Sequence, residues 1–149
     1  MKTLLSACAF FLFISASPAR FVEIWPYDKM KESADLIVIA TPTAVKVTDE
    51  RAKVLNTVAV EGLETTFEVI AVLKGDNATK RIVFHHYQEA GKVGIQINGP
   101  LLISFRPAEH KKYLLFLKRE ADGRFASITG QADPGDGVKD LGGTSIDTR

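Results

Sequence analysis

The chain has 149 residues, enough for one domain, with 19 Lys and Arg against 18 Asp and Glu. This near-neutral balance excludes nucleic acid and an anionic membrane as the main partner, because both require a basic excess. The chain has one cysteine, so an intrachain disulfide is excluded and a hydrophobic core has to hold the domain together.

The first segment predicts a cleaved export signal. Lys2 supplies a positive start, and residues 4–14 form an apolar run too short to span a bilayer as a helix. The small residues that end at Ala19 have the spacing of a signal-peptidase site, so we expect residues 1–19 to be a signal peptide and Arg20 to begin the mature protein. Cleavage after Ala16 is the second option. Either way, the predicted location is secreted or periplasmic.

The single cysteine lies inside this predicted signal. Leu5-Ser6-Ala7-Cys8 resembles a bacterial lipobox, in which the cysteine is acylated, but the apolar stretch FFLFI follows Cys8 here instead of preceding it. We therefore interpret Cys8 as part of the signal peptide. The mature chain is then formally neutral and free of cysteine. It contains no further run long enough to span a membrane, so we expect no stable membrane insertion.

Residues 20–33 form a lead-in in which Asp28 is a candidate cap for a short helix. Residues 36–40 are apolar and β-branched, which predicts a buried strand that continues as an exposed strand after Pro42. Pro42 cannot donate a ladder hydrogen bond, so it predicts a bulge or bend. Residues 49–64 have a mixed pattern and are predicted as a loop, with or without an added short strand.

Residues 65–76 form the clearest strand, with alternation that places Phe67, Val69, Ala71 and Leu73 on one face and Ile70 and Val72 on the other. Residues 80–88 predict another strand. Residues 113–120 and 125–131 predict a hairpin across the turn ADGR. Between the strands at 80–88 and 113–120, residues 101–105 are either a strand or a tucked-in apolar loop. From the two strongest strands we predict four core residues: Phe67, Val69, Leu115 and Leu117.

These segments predict an all-β domain with little helix, because about five short strands at close spacing are typical of a small barrel or sandwich. A closed barrel would also remove the edge strands that an exported sheet would otherwise expose. We expect the domain to span residues 34–141. The polar, glycine-containing residues 142–149 are predicted to be a flexible tail.

Three segments in this order, ADLIVIATPTAV, TTFEVIAVLKGD and YLLFLKREADGRFASITGQ, resemble the netrin-like domain of the tissue inhibitor of metalloproteinases superfamily, and more closely its exported bacterial-type members. The resemblance covers roughly residues 34–131 and implies a five-stranded Greek-key OB-fold barrel. Animal inhibitors of this superfamily chelate the protease zinc through an N-terminal cysteine. This chain has Arg20 or Ser17 at its predicted mature start and no cysteine after Cys8, so that activity is not carried over.

The adjacent His85 and His86 are the first candidates for a metal site. Successive side chains of a strand point to opposite faces, so the two rings cannot share one ion. Only one of them could join His110, whereas zinc sites usually need three or four ligands. We interpret them as one partly buried histidine, on the face of Phe84, and one exposed histidine, and we predict no metal site.

A second group of candidates lies near the end of the domain. Asp133, Asp136 and Asp140, with Gly135 and Gly137, have the wrong spacing for an EF-hand and are interpreted as turn residues. Separately, residues 77–79 form an N-glycosylation acceptor, which matters only in a eukaryotic secretory host.

Local positive charge is the third candidate feature. It comes from Lys111, Lys112, Lys118 and Arg119, close to Tyr113 and Phe116. Some OB-folds bind single-stranded nucleic acid through such a basic and aromatic face. We interpret Phe116 as a core residue and the lysines as a solvated turn, because the neutral mature chain and its export both disfavour nucleic acid.

No catalytic residue, cofactor or metal ligand is predicted. The sequence lacks the Gly-x-Ser-x-Gly nucleophile motif, and its carboxylates are scattered, with nothing in the sequence that pairs them. The leading hypothesis is an exported, non-enzymatic binding module whose partner is another protein or a component of the cell envelope or surface. The alternative is a loop-based inhibitor of an extracellular enzyme, and a small hydrolase or metal-dependent enzyme is the third hypothesis.

Overall fold

The computed structural model describes residues 24–54, 58–91, 101–132 and 134–142. The predicted signal peptide 1–19, which contains Cys8, lies outside these residues. Arg20, Asp133 and residues 143–149 of the predicted tail lie outside them as well. Within the described ranges, no helix is long and apolar enough to cross a membrane.

The described chain is mostly β-structure with one short α-helix, which confirms the all-β prediction. The helix α1 spans Tyr27–Ser33, and two 3-10 turns span Pro107–Glu109 and Gly135–Gly137. The strands are β1 Leu36–Val54, β2 Val58–Lys74, β3 Arg81–Glu89, β4 Tyr113–Arg119, β5 Phe125–Ser127 and β6 Val138–Asp140.

Five of the strands form a closed ring. β1 pairs antiparallel with β2, and β2 pairs antiparallel with β3. β3 meets β5 in parallel through Phe84 and Phe125, β5 pairs antiparallel with β4, and β4 returns to β1. β6 adds to β4 beside β5. The predicted hairpin of β4 and β5 is therefore confirmed.

The main core fills the interior of the ring. Its buried members are Leu36, Val38, Ala40, Phe67, Ile82, Phe84, Ile103, Phe105, Tyr113, Leu115, Leu117 and Phe125. Phe67 and Phe105 meet edge to face, with ring centroids 4.8 Å apart. Three predicted core residues, Phe67, Leu115 and Leu117, are fully buried, and Val69 is partly buried against the same cluster. Residues 101–105 form the tucked-in apolar loop, since Ile103 and Phe105 point into the core.

A second, smaller core lies where α1 packs on the outer face of the ring. It contains Met30, Ala34, Ile37 and Phe116, so Phe116 is buried as predicted. The Lys74 ammonium donates hydrogen bonds to the carbonyls of Lys31, Glu32 and Ala34, which otherwise lack partners at the end of the helix. The predicted cap at Asp28 is wrong, because the helix begins at Tyr27 after Pro26 and has no side-chain cap.

The alternation predicted for β2 is wrong at its end. Ile70 and Leu73 are both more than half exposed, and the register with β1 skips each of them. Each skip is a bulge that adds one residue and reverses the alternation. Val72, and not Leu73, therefore packs against the core. The bend predicted at Pro42 is confirmed by a register shift between Pro42 and Ala44.

The loop predicted for residues 49–64 is mostly strand. β1 continues to Val54 and β2 starts at Val58, where Val58, Val60 and Leu63 are buried. β3 runs beside this part of β2, from Val60 opposite Glu89 to Leu63 opposite His86. The strand is therefore set by pairing with distant residues. The three residues of β6 were also not predicted, and they pair with β4 in the same way.

Candidate functional site

The fold brings charged side chains from four parts of the chain together on the outer face of β2 and β3. We call this group the charged cluster. Its members are Glu50 of β1, Glu64 of β2, His85 of β3, and Glu120, Asp122 and Arg124 around the β4–β5 turn. No pattern in the sequence predicted that any of these carboxylates would be paired.

Arg124 lies at the centre of the cluster, and its side chain is only 18% exposed. Its guanidinium lies 2.8 Å from Glu50, 3.3 Å from Glu64 and 2.7 Å from Asp122. The hydrogen bond from Arg124 is the main reason why the pKa of Glu50 is lowered. One side chain thus links the β4–β5 turn to β1 and β2.

His85 lies between two carboxylates. Its Nδ1 is 2.9 Å from Glu120 Oε2, and its Nε2 is 2.8 Å from Glu50 Oε2, although the second contact lacks the alignment of a hydrogen bond. His85 is only 5% exposed, so the prediction of one exposed histidine is wrong. The side chains that cover it come from distant segments.

His86 faces the interior and is held by neutral groups. Its Nδ1 lies 2.9 Å from the Ile103 carbonyl, which can only accept, so Nδ1 carries the hydrogen. Its Nε2 accepts from the Thr65 hydroxyl at 2.7 Å. Burial lowers the pKa of His86 to about 4, so the ring is neutral at pH 7. His86 is therefore a satisfied core residue.

Gly62 explains how Glu50 reaches across β2 to a residue of β3. Gly62 lies on β2 opposite Tyr87, and a β-carbon there would collide with Thr48 Oγ1 and lie 2.9 Å from Glu50 Cβ. The register of β1 is also irregular between Val47 and Arg51, which brings Glu50 over this gap. A glycine within a strand often marks such a close approach, and this is the one local signal of the cluster in the sequence.

The other candidates from the sequence lie elsewhere. His110 is exposed beyond the first 3-10 turn, and no described contact joins it to His85 or His86. Asp136 lies 3.8 Å from Lys139, whereas Asp140 pairs with Lys111 at 3.1 Å. Across the described ranges, no group of three or more His, Cys, Asp or Glu residues is arranged to hold a metal ion.

Two of the basic residues near β4 are engaged in ion pairs. Lys111 pairs with Glu109 and Asp140, both at 3.1 Å, and Lys118 pairs with Asp35 at 3.0 Å. These lysines are solvent-facing members of ion pairs, as their interpretation as solvated side chains predicts. Asn77 of the glycosylation acceptor is exposed, in a turn where the Ala78 N–H donates to Asp76.

The charged cluster is arranged to hold strands together. A general base has to reach the proton that it abstracts, whereas both ring nitrogens of His85 lie against carboxylates and the ring is buried. Arg124 is likewise occupied by the carboxylates around it. The cluster therefore fixes β1 and the β4–β5 turn against β3. No protein-family model, curated protein or solved structure matches the chain.

Proposed function

We propose that the chain is an exported, non-enzymatic binding module with an OB-fold, and that its ligand is another protein or a component of the cell envelope. The strand order supports the fold. β4, β1, β2 and β3 lie side by side in that order, which is the order of a Greek key. β5 then lies between β3 and β4, a strand order that is compatible with the five-stranded Greek-key barrel of an OB-fold.

The observation that carries the binding function is a contrast between two sets of side chains. The described side chains best suited to acid–base chemistry, His85 and Glu50, are engaged with each other or with Arg124. The surface instead offers a long strand, β1, which is exposed from Thr43 to Val47. Such a surface supports recognition of a partner better than it supports turnover of a substrate.

Inhibition of an extracellular enzyme is the second candidate function, and the anchoring of β1 favours it. Glu50 contacts both Arg124 and His85 at 2.8 Å, so β1 is tied to β3 and to the β4–β5 turn just beyond its exposed residues Thr43–Val47. An inhibitor gains affinity when its contact segment is rigid before binding, since less conformational entropy is lost. Binding and inhibition would use the same surface and differ only in the partner.

The test is capture from an envelope extract followed by reconstitution with purified components. The mature chain starting at Arg20 is immobilised, retained proteins are identified by mass spectrometry, and the candidate is titrated with the purified domain by calorimetry. We expect a saturable complex that the free domain competes away. Loss of a retained enzyme's activity in the complex would select the inhibitor function. Substrate turnover by the domain itself, abolished in His85→Gln, would overturn the non-enzymatic proposal.

A further inference from the structure

We infer that residues 44–47 of β1 bind an extended segment of a partner protein by strand addition, and that this segment carries a carboxylate opposite Lys46. The inference rests on the proposed binding function and states where and how the partner binds. It is carried by the open edge of β1, by the protection of the other half of that edge, and by Lys46, which forms no ion pair with any described residue.

The edge of β1 is open beyond Ala40. Among the described residues, β1 pairs with β4 only from Leu36 to Ala40, and after that it pairs with β2 alone. The 3-10 turn Pro107–Glu109 lies beside β1, but no described residue outside β2 forms a backbone hydrogen bond with Ala44–Val47. A strand edge with free N–H and C=O groups is a template for an added strand.

The second half of the same edge, beyond Val47, is protected by a charged side chain and by an irregular register. Arg51 Nη1 donates to the carbonyl oxygens of Thr48 at 3.0 Å and Glu50 at 2.8 Å. The register with β2 is also irregular between Val47 and Arg51. Bulges and charged side chains are the usual protection of an edge strand. Neither this irregular register nor the Arg51 side chain covers residues 44–47.

The side chains of the open half indicate the chemistry of the added strand. Val45 and Val47 share one face and are 41% and 52% exposed. Lys46 lies on the other face opposite Glu64, but Glu64 is bound by Arg124, and no described residue forms an ion pair with Lys46. A strand with β-branched or apolar residues beside the valines and an acidic residue opposite Lys46 would complement both faces.

A second copy of the chain fits this edge poorly. In a two-fold antiparallel pairing, the register that places Val45 against Val47 of the copy also places Lys46 directly against Lys46. Like charges opposite each other in a sheet are destabilising. The lysine therefore disfavours this register of self-association and favours a partner that carries a carboxylate.

The experiment is an NMR titration of the ¹⁵N-labelled mature protein with two synthetic peptides. Both peptides alternate Val and Thr, and they differ only in a central Glu or Lys. We expect the Glu peptide to shift the amides of Ala44–Val47, to protect those that point away from β2, and to bind about fivefold more tightly than the Lys peptide. Lys46→Glu should reverse that preference. The matched control Lys53→Glu, on the same strand beyond Arg51, should leave it unchanged.

Amide shifts confined to another surface, no shifts at all, or equal binding of the two peptides would overturn the inference. Concentration-dependent shifts of Ala44–Val47 without peptide would assign the edge to a second copy, and would also overturn it. The envelope partner separates this failure from failure of the proposed function. A purified partner that binds wild-type and Lys46→Glu protein equally leaves the binding function in place and removes residues 44–47 from it.

Discussion

Two adjacent histidines on β3 are both buried, yet they are held by different kinds of partner. His86 is bound by a hydroxyl and a carbonyl in the interior, where burial lowers its pKa to about 4. His85 lies on the outer face between the carboxylates of Glu50 and Glu120. The interior site needs only two neutral neighbours, whereas the outer site needs charged groups from several segments. The interior site of His86 should therefore control the free energy of unfolding, and the outer site of His85 should control the position of β1.

The largest expected effect comes from His86→Ala. The substitution removes a fully buried ring and leaves Thr65 and the Ile103 carbonyl without their partner. We expect the free energy of unfolding to fall by about 3 kcal/mol or more, measured by urea denaturation. His110→Ala, at an exposed position, should change it by less than about 0.5 kcal/mol. Similar values for the two variants would contradict the interior role of His86.

Acid should destabilise the protein through the same ring. The pKa of His86 is lowered from 6.5 to about 4 in the folded state, so between these pH values the unfolded state binds more protons. The stabilisation linked to His86 is therefore fully present above pH 6.5. The free energy of unfolding falls as the pH decreases towards 4, by up to about 3 kcal/mol.

The check is the pH dependence of stability in wild-type and His86→Gln protein. The variant should lose most of the decline between pH 6.5 and 4, and an unchanged decline would contradict this assignment. A further loss at lower pH should remain in both proteins. Glu50 contributes to it, because its pKa is lowered mainly by Arg124 and its stabilising contribution disappears as the pH falls through its folded pKa.

Removal of Arg124 should affect the outer site. Arg124→Ala leaves the carboxylates of Glu50, Glu64 and Asp122 close together without their cation. We expect a loss of about 2 kcal/mol in the free energy of unfolding, which becomes smaller in high salt because salt screens the repulsion. Arg81→Ala is the matched control, since its contact with Glu68 is exposed and 4.0 Å long. Equal losses in the two variants would argue against a central role for Arg124.

A smaller effect, from Gly62→Ala, should distinguish the contribution of the charged cluster from that of the core. Gly62→Ala places a methyl group against Thr48 and Glu50, so this part of β1 has to move away from β2. We expect a loss of about 1–2 kcal/mol. Amide exchange should become faster in β1, from Ala44 to Val54, and should stay unchanged in β4. Faster exchange in both strands would show that the glycine supports the whole ring and not the attachment of β1.

Local sequence patterns predicted the elements whose structure depends on near neighbours. Residues 36–40 are an apolar run and residues 65–69 alternate, and both patterns are typical of a strand next to the core. Phe67, Leu115 and Leu117 are buried as expected. The turn ADGR joins β4 to β5 because its residues suit a tight reversal. The export signal at residues 1–19 stays a prediction from sequence alone.

Tertiary structure decided the features that depend on residues far apart in the chain. The bulges at Ile70 and Leu73 arise from the register with β1, and so the alternation of β2 could not be extended to its end. His85 is buried only because Glu50, Glu120 and Arg124 meet over it. Each of those side chains is unremarkable in its own segment. Alternation in a strand assigns a side chain to a face, but what covers that face is determined by how distant strands pair.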